Sequence, residues 1–384
     1  MLRVGLLWHS LASGNLGVRA LTLAQLAILE TAAEAAGREV EAVIFGHPDW
    51  GAPRLDYAGR LVRLAPPHDL TAVALFRRTG DLLGAFRRCD LLIDIGEGDS
   101  FTDVYGWRRY VKQLASKALA LRSGRPLILA PQTIGPFGRG RRLPPAALLR
   151  RAAHVFARDA ESEAFARRLA PTANLALATD VAFLLPWEAP ARPRGGPLRI
   201  GLNVSGLLYQ GRGFGLPVPY AALVDALLAD WTGRAGYEVH LVAHVLAAPG
   251  EADQDGAVSR QLARRFPAAR LAPAFTDPRA AKSWIAGLDF FVGARMHACV
   301  AAFSAGVPLV PLAYTRKATG LFRSLGYDAV ADLRSGSLED AVRIVGDGLA
   351  GRAALAAAAA AGNRRAAERL RVYTDLVAHL VRTA

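Results

Sequence analysis

Cysteine is almost missing from this chain: 384 residues hold only Cys89 and Cys299. The two lie far apart and form no metal-ligand spacing. That excludes a disulfide-stapled scaffold and a cysteine-based zinc site, and it fits a reducing compartment. Lysine is nearly as scarce. Four lysines stand among 47 basic residues, so the formal charge of +14 rests almost wholly on arginine. No uninterrupted apolar run approaches the roughly 20 residues that cross a bilayer. The opening Met-Leu-Arg-Val-Gly-Leu-Leu-Trp reads as a first strand. It lacks a signal peptide's long apolar region and cleavage site, so a cytoplasmic protein is expected. Arginine blocks interleaved with aromatics are also missing, and no nucleic-acid partner is expected. A basic surface can still attract anionic metabolites or lipid, so peripheral contact with the inner face of an anionic membrane is expected.

What the chain does have is the balance of a folded protein, 52% hydrophobic and 21% charged, at a length suited to two domains. Apolar strand-like runs alternate with helical periodicity along it. Val4–Trp8, Glu39–Phe45, Arg60–Leu64, Asp90–Ile95, Pro126–Ala130 and Ala153–Ala157 read as strands. Helices are expected at Arg19–Ala36, Leu70–Arg88, Trp107–Ser123, Leu143–Arg151 and Ala160–Leu169. The order argues for a parallel sheet covered on both faces. The proline-rich stretch Pro186–Pro197 breaks the pattern, and at Leu198 the alternation starts again. We therefore expect an α/β protein with two Rossmann-like, doubly wound domains, 1–186 and 198–345. Residues 187–197 form the linker, and a helical segment follows over 346–384. Ligands in such sheets lie beyond the carboxyl ends of the strands, so polar residues at those ends are the candidates.

The strongest of these positions is Gly293-Ala-Arg-Met-His297. It sets Arg295 and His297 where an apolar strand gives way to a small-residue helix. A helix N-terminus already attracts anions, and a guanidinium and an imidazole there suit phosphate or carboxylate. Gly96-Glu-Gly-Asp-Ser-Phe-Thr-Asp103 brings Glu97, Asp99 and Asp103 to another strand end, where burial can raise a carboxyl into the range of a general acid. Gln132 and Thr133 suit sugar hydroxyls. Arg158 is either an anion contact or half of a buried ion pair, with Asp159 capping the helix that follows. The Gly14–Gly17 turn carries Asn15, Lys317 stands at a helix mouth, and the loop through Tyr209 and Arg212 is a candidate lid. His240 and His244 are four apart on a strand, which does not make a metal-binding face, and no metal site is expected.

Taken in order, Gly96–Asp103, Gln132–Phe137, Arg158–Ser162, Thr179–Phe183, His244, Arg295-Met-His297, and Tyr314 with Lys317 resemble the polysaccharide pyruvyl transferase family. The resemblance implies a GT-B-like arrangement with a cleft between the domains. It also implies transfer of pyruvate from phosphoenolpyruvate to sugar hydroxyls of a cell-surface polysaccharide precursor, usually as a ketal. The implied donor contacts are Arg295, His297, Arg158 and Lys317, and phosphoenolpyruvate serves as substrate with no cofactor. Asp99, Asp103, His297 and His244 compete for the proton-donating role. Asn15, Glu97, Ser100, Gln132 and Thr133 fall on the acceptor side, facing a saccharide that a lipid can carry. Val18 and Glu97 depart from the family pattern. Two alternatives are a nucleotide-sugar glycosyltransferase and an inactive binding protein of the same fold.

Overall fold

The computed structural model describes residues 1–46, 54–96, 100–190, 195–211, 214–246 and 254–384. The first half opens with β1 (Leu2–Leu7), α1 (Leu16–Ala36), β2 (Val40–Gly46), β3 (Val62–Leu64) and β4 (His68–Asp69). Then come α2 (Ala72–Arg77), α3 (Thr79–Arg87), β5 (Leu91–Asp94), β6 (Ser100–Phe101) and α4 (Trp107–Arg122). It closes with β7 (Leu127–Ile134), α5 (Leu143–Arg151), β8 (His154–Ala157), α6 (Ala160–Leu169) and β9 (Leu175–Leu177). These strands form one parallel sheet in the order β3-β2-β1-β5-β7-β8-β9, with β4 beside β2 and β6 beside β7.

The second half holds β10 (Leu198–Asn203), α7 (Gly206–Tyr209), α8 (Tyr220–Thr232), β11 (Tyr237–Leu241) and α9 (Asp255–Arg265). It continues through β12 (Arg270–Leu271), α10 (Pro278–Ile285), β13 (Phe290–Gly293), α11 (Met296–Ser304) and β14 (Leu309–Ala313). The last elements are α12 (Arg316–Ser324), β15 (Ala331–Asp332), α13 (Leu338–Ala350) and α14 (Arg352–Thr383). The second sheet runs β12-β11-β10-β13-β14-β15, again parallel. Each sheet reverses its winding beside its first strand, at β1/β5 and at β10/β13, and a crevice forms there at the strands' carboxyl ends.

Local chemistry explains most boundaries. Asn15 caps α1 by accepting from the Gly17 amide, and Gly37 ends it at φ 61° in the left-handed region. Asp159 caps α6, with Glu161 and Glu163 in its first turn and Arg167 and Arg168 in its last. Two expectations need correction. The helix expected over 70–88 is two helices meeting at Arg78, where the Thr79 hydroxyl bonds back to the Leu75 carbonyl at 2.7 Å. The strand expected to stop at Ala130 runs on to Ile134. Pro131 cannot donate to the ladder, and a register shift between Leu129 and Gln132 accommodates it.

α1 is long and apolar enough to cross a membrane, and 83% of its most apolar window is buried inside the molecule. It packs against α14, α10 and α11. The 32-residue α14 ties the halves together. In its first half Asn363 donates to the Phe303 carbonyl at 2.8 Å and Arg365 to that of Leu325 at 2.7 Å. Further along, the Tyr373 hydroxyl donates to Gln25 of α1, and its ring meets Phe156 edge-on. The apolar core follows the strap. One buried cluster runs from the first sheet through α1 and α14 to Phe291, Phe303 and Tyr327, while a second covers the other face of the second sheet.

Candidate functional site

A cavity of about 340 Å³ opens between the two sheets. The β6–β7 ladder pairs Ser100 with Thr133 and carries both into its wall beside Tyr105. Phe214, Tyr314, Arg316, Lys317 and Arg334 line the opposite side. Lys317 sits in the first turn of α12 with its ammonium 4.7 Å from the Tyr105 ring centre. Burial pushes that ammonium down to about 7. Burial also pushes the Tyr105 hydroxyl up to about 12, so it stays protonated at neutral pH. Arg316 donates to the Ile134 carbonyl at 3.1 Å and to that of Gly135, fastening one wall to the other. Arg334 is held by Asp332 at 2.6 Å. The Ser100 hydroxyl is buried, with no hydrogen-bond partner among the described residues. A compact cavity with several cations and hydroxyl groups suits a small anion and a sugar oxygen.

Behind Thr133 the wall continues into a chain of buried charges. The Thr133 hydroxyl accepts from Arg158 Nε at 2.9 Å, and Arg158 Nη1 reaches Asp180 at 3.0 Å. Asp180 in turn lies 3.5 Å from His297 Nε2. Burial alone would raise the Asp180 carboxyl. Its contacts with His297, Arg158 and the Ala182 amide outweigh that and hold it down to about 2. His297 projects from the first turn of α11 against the start of α1. There the lack of a side chain at Gly17 is what admits the ring, since a Cβ would stand 2.3 Å from His297 Nδ1.

Arg295 precedes the same helix and is held twice. Its amide donates to Asn203 at 2.8 Å, and its guanidinium grips Asp255 with Nη2 at 2.7 Å and Nε at 3.2 Å. Asp255, fully buried at the start of α9, also accepts from the amides of Gly206, His244 and Val245. One carboxylate thus gathers the loops after β10 and β11 beneath Arg295. His244 is buried beside them with neither ring nitrogen hydrogen-bonded among the described residues, and burial, then the charges of His297 and Arg295, lower it to about 3. It is neutral at pH 7, which makes it a poor acid.

The structure therefore brings buried Arg158 and His244 together with the partly buried Arg295 and His297 in one cluster, and places Ser100, Thr133 and Lys317 on the adjoining cavity. Other expectations change. Asp103 accepts from the Gly138 amide at 3.0 Å and Arg141 at 3.3 Å and does not line the cavity, so its carboxyl serves the loop. Gln132 lies inside β7 and donates to the carbonyls of Asp94 and Ala130, so it is packed under the Gly96 turn and not offered to a sugar. The Asn15 side chain is spent on the α1 cap, while the backbone on either side of it bridges to the segment around Val245, with the Leu16 amide donating to the His244 carbonyl and the Leu246 amide to that of Gly14. Glu97, Asp99 and Arg212 lie outside the described residues. His240 sits 2.6 Å from Glu238, and among the described residues no group of three His, Cys, Asp or Glu could hold a metal ion. Asp180 and Asp255 were not singled out. Asp180 stands in the Thr179–Phe183 motif, a usable signal, whereas Asp255 looks in sequence like any helix-starting acid.

The family model for polysaccharide pyruvyl transferase matches residues 15–316. No curated protein matches the chain by sequence. Among solved structures, Anabaena HepE in complex with UDP is similar at 14% identity and a TM-score of 0.57, over 100% of both chains. Sucrose-phosphate synthase from Thermosynechococcus elongatus shares 14% identity at a TM-score of 0.57, over 100% of this chain and 98% of that one. S. aureus MnaA with UDP shares 10% identity at 0.56, over 98% of each. At such identities the likeness shows the fold alone, a GT-B pair of Rossmann-like domains.

Proposed function

Because the chain belongs to the polysaccharide pyruvyl transferase family, we propose that it transfers pyruvate from phosphoenolpyruvate to two hydroxyls of a saccharide, closing a ketal. The observation that carries this is the cavity between the domains, where Lys317, Arg316 and Arg334 face Ser100 and Thr133. Phosphoenolpyruvate brings a phosphate and a carboxylate, and cations in a partly dry site hold both. In the reaction a proton adds to the methylene carbon, leaving an oxocarbenium-like centre. The first sugar oxygen bonds to that carbon and its proton is released. The carbon–oxygen bond to phosphate then breaks, and the second sugar oxygen takes its place. One hydroxyl proton ends on the new methyl group and the other on phosphate, so the step balances. Cations at the leaving phosphate supply the main electrostatic stabilisation. We assign proton movement to His297, which lies 3.5 Å from Asp180 behind the cavity wall, while Asp99 remains a sequence candidate. The proposed setting is the cytoplasm, with no cofactor.

Titration calorimetry of phosphoenolpyruvate into the wild-type chain and into Lys317→Met tests this reading, with UDP as a control. Saturable binding that the variant loses is the expected result. UDP binding without phosphoenolpyruvate binding would instead favour a nucleotide-sugar glycosyltransferase, which the UDP-bound structures of the same fold keep in view. Binding of neither would favour an inactive binding protein.

A further inference from the structure

Exposed apolar side chains gather on one face of the first domain. Phe76 on α2 is 63% exposed, Trp107 at the start of α4 62%, and Leu143 at the start of α5 82%. Val104, 60% exposed, belongs both to this face and to the wall of the inter-domain cavity. The pieces are held side by side. α2 and α5 both pack on α4. The Tyr110 hydroxyl of α4 donates to the Arg141 carbonyl at 2.6 Å, and Asp103 binds Arg141 and the Gly138 amide. The segment carrying Arg139 and Leu143 is thereby fixed beside Trp107.

Among the described residues, exposed charge on this face is mainly positive. Between Asp103 and Asp159 the chain carries twelve arginines and lysines, of which Lys117 and Arg158 are buried, and no acidic residue. Asp81 on α3 is paired with Arg78 at 3.1 Å, and Asp103 with Arg141 at 3.3 Å. Arg108, Arg139, Arg142 and Arg150 are exposed around the apolar residues. Aliphatic side chains such as Leu143 offer no stacking surface for bases, which argues against nucleic acid. A two-fold contact between copies would set this cationic face against itself. Tryptophan and aliphatic side chains ringed by arginine suit a bilayer interface bearing anionic headgroups.

We infer that the face built from α2, the start of α4 and the 139–143 segment is a membrane-docking surface for anionic phospholipid. It sets the inter-domain cavity, through Val104, at the edge of the bilayer. Lipid binding is read without phosphoenolpyruvate, so its failure is distinct from failure of the transfer reading. Flotation of the full chain with vesicles of phosphatidylcholine alone, or mixed with phosphatidylglycerol, tests it. The wild-type chain is expected to float only with the anionic vesicles. Replacing two arginines, in Arg108→Ala/Arg139→Ala, should weaken partitioning by roughly twenty-five-fold, about five-fold per charge. Trp107→Ala/Leu143→Ser should lose flotation with every charge intact, while melting as the wild type does. The inference is overturned if the wild-type chain ignores anionic vesicles, floats equally with neutral ones, or if the apolar double variant floats unchanged. A concentration-dependent dimer abolished by the same substitutions, without flotation, would assign the face to a second copy instead.

Discussion

Gly17 sits in the first turn of a helix, where alanine ordinarily stabilises by about 1 kcal/mol, yet its missing side chain is what seats the His297 ring. Gly17→Ala should therefore leave the fold intact and displace the imidazole. Turnover is expected to fall at least ten-fold with little change in melting temperature, and retained turnover would show that His297 does not need this position. Asp180 carries a different signature. Its folded value of about 2 lies below the ordinary 3.8, so its stabilisation is present above pH 4 and lost as pH falls through 2. Asp180→Asn removes that acid limb and leaves Arg158 buried without its carboxylate, at a cost of about 3–5 kcal/mol at neutral pH. Urea denaturation at pH 7 and across the acid range would measure both.

Lys317 works in the opposite sense. Its ammonium falls from 10.5 to about 7 on folding, so the unfolded chain binds more protons between those values. Stability from this group therefore rises as pH climbs from 7 to 10. Lys317→Met should raise the melting temperature at pH 7, and the gain should vanish near pH 10. Anion affinity of the wild-type cavity should decline as pH passes 7, because the ammonium loses its proton there. Scanning calorimetry and a pH series of titrations check the pair. Both outcomes together would mark a residue held at some cost to the fold for the anion proposed to bind there.

Among the elements, α14 has the greatest reach. Its first half is bonded to Phe303 and Leu325, its second half to α1 through Tyr373 and Gln25. Tyr373 is fully buried, and Tyr373→Ala should cost about 3–5 kcal/mol through lost packing and a cavity. Because the strap joins both halves, we expect a single cooperative unfolding transition that moves as a whole, which differential scanning calorimetry would register. Two separate transitions would show that the halves unfold independently. Most elements were legible beforehand because their signals are local: α5 and α6 start and stop at their proline, cap and charge positions. α13 escaped notice although Ser337 and Asp340 form a capping box. β7 runs four residues beyond its expected end because a register shift, which no local signal reveals, carries it past Pro131.

For the whole molecule, alternating strands and helices, a proline-rich break and ordered polar residues at strand ends were enough to specify two parallel α/β halves facing a cleft. They also brought Arg158, His244, Arg295, His297 and Lys317 forward, since residues just past parallel strands are placed by topology. Which of them face open space was settled only in three dimensions. Arg295 and Lys317 occupy equivalent places after neighbouring strands, yet one grips Asp255 and the other lines the cavity. Ion pairing across 40 residues, the Gly17 seat for His297, and the α14 strap all depend on contacts between distant segments. Periodicity and capping act within one or two helical turns, so sequence alone determines elements and their order. Burial and charge pairing depend on which surfaces meet, and that was decided by the packing of the two sheets.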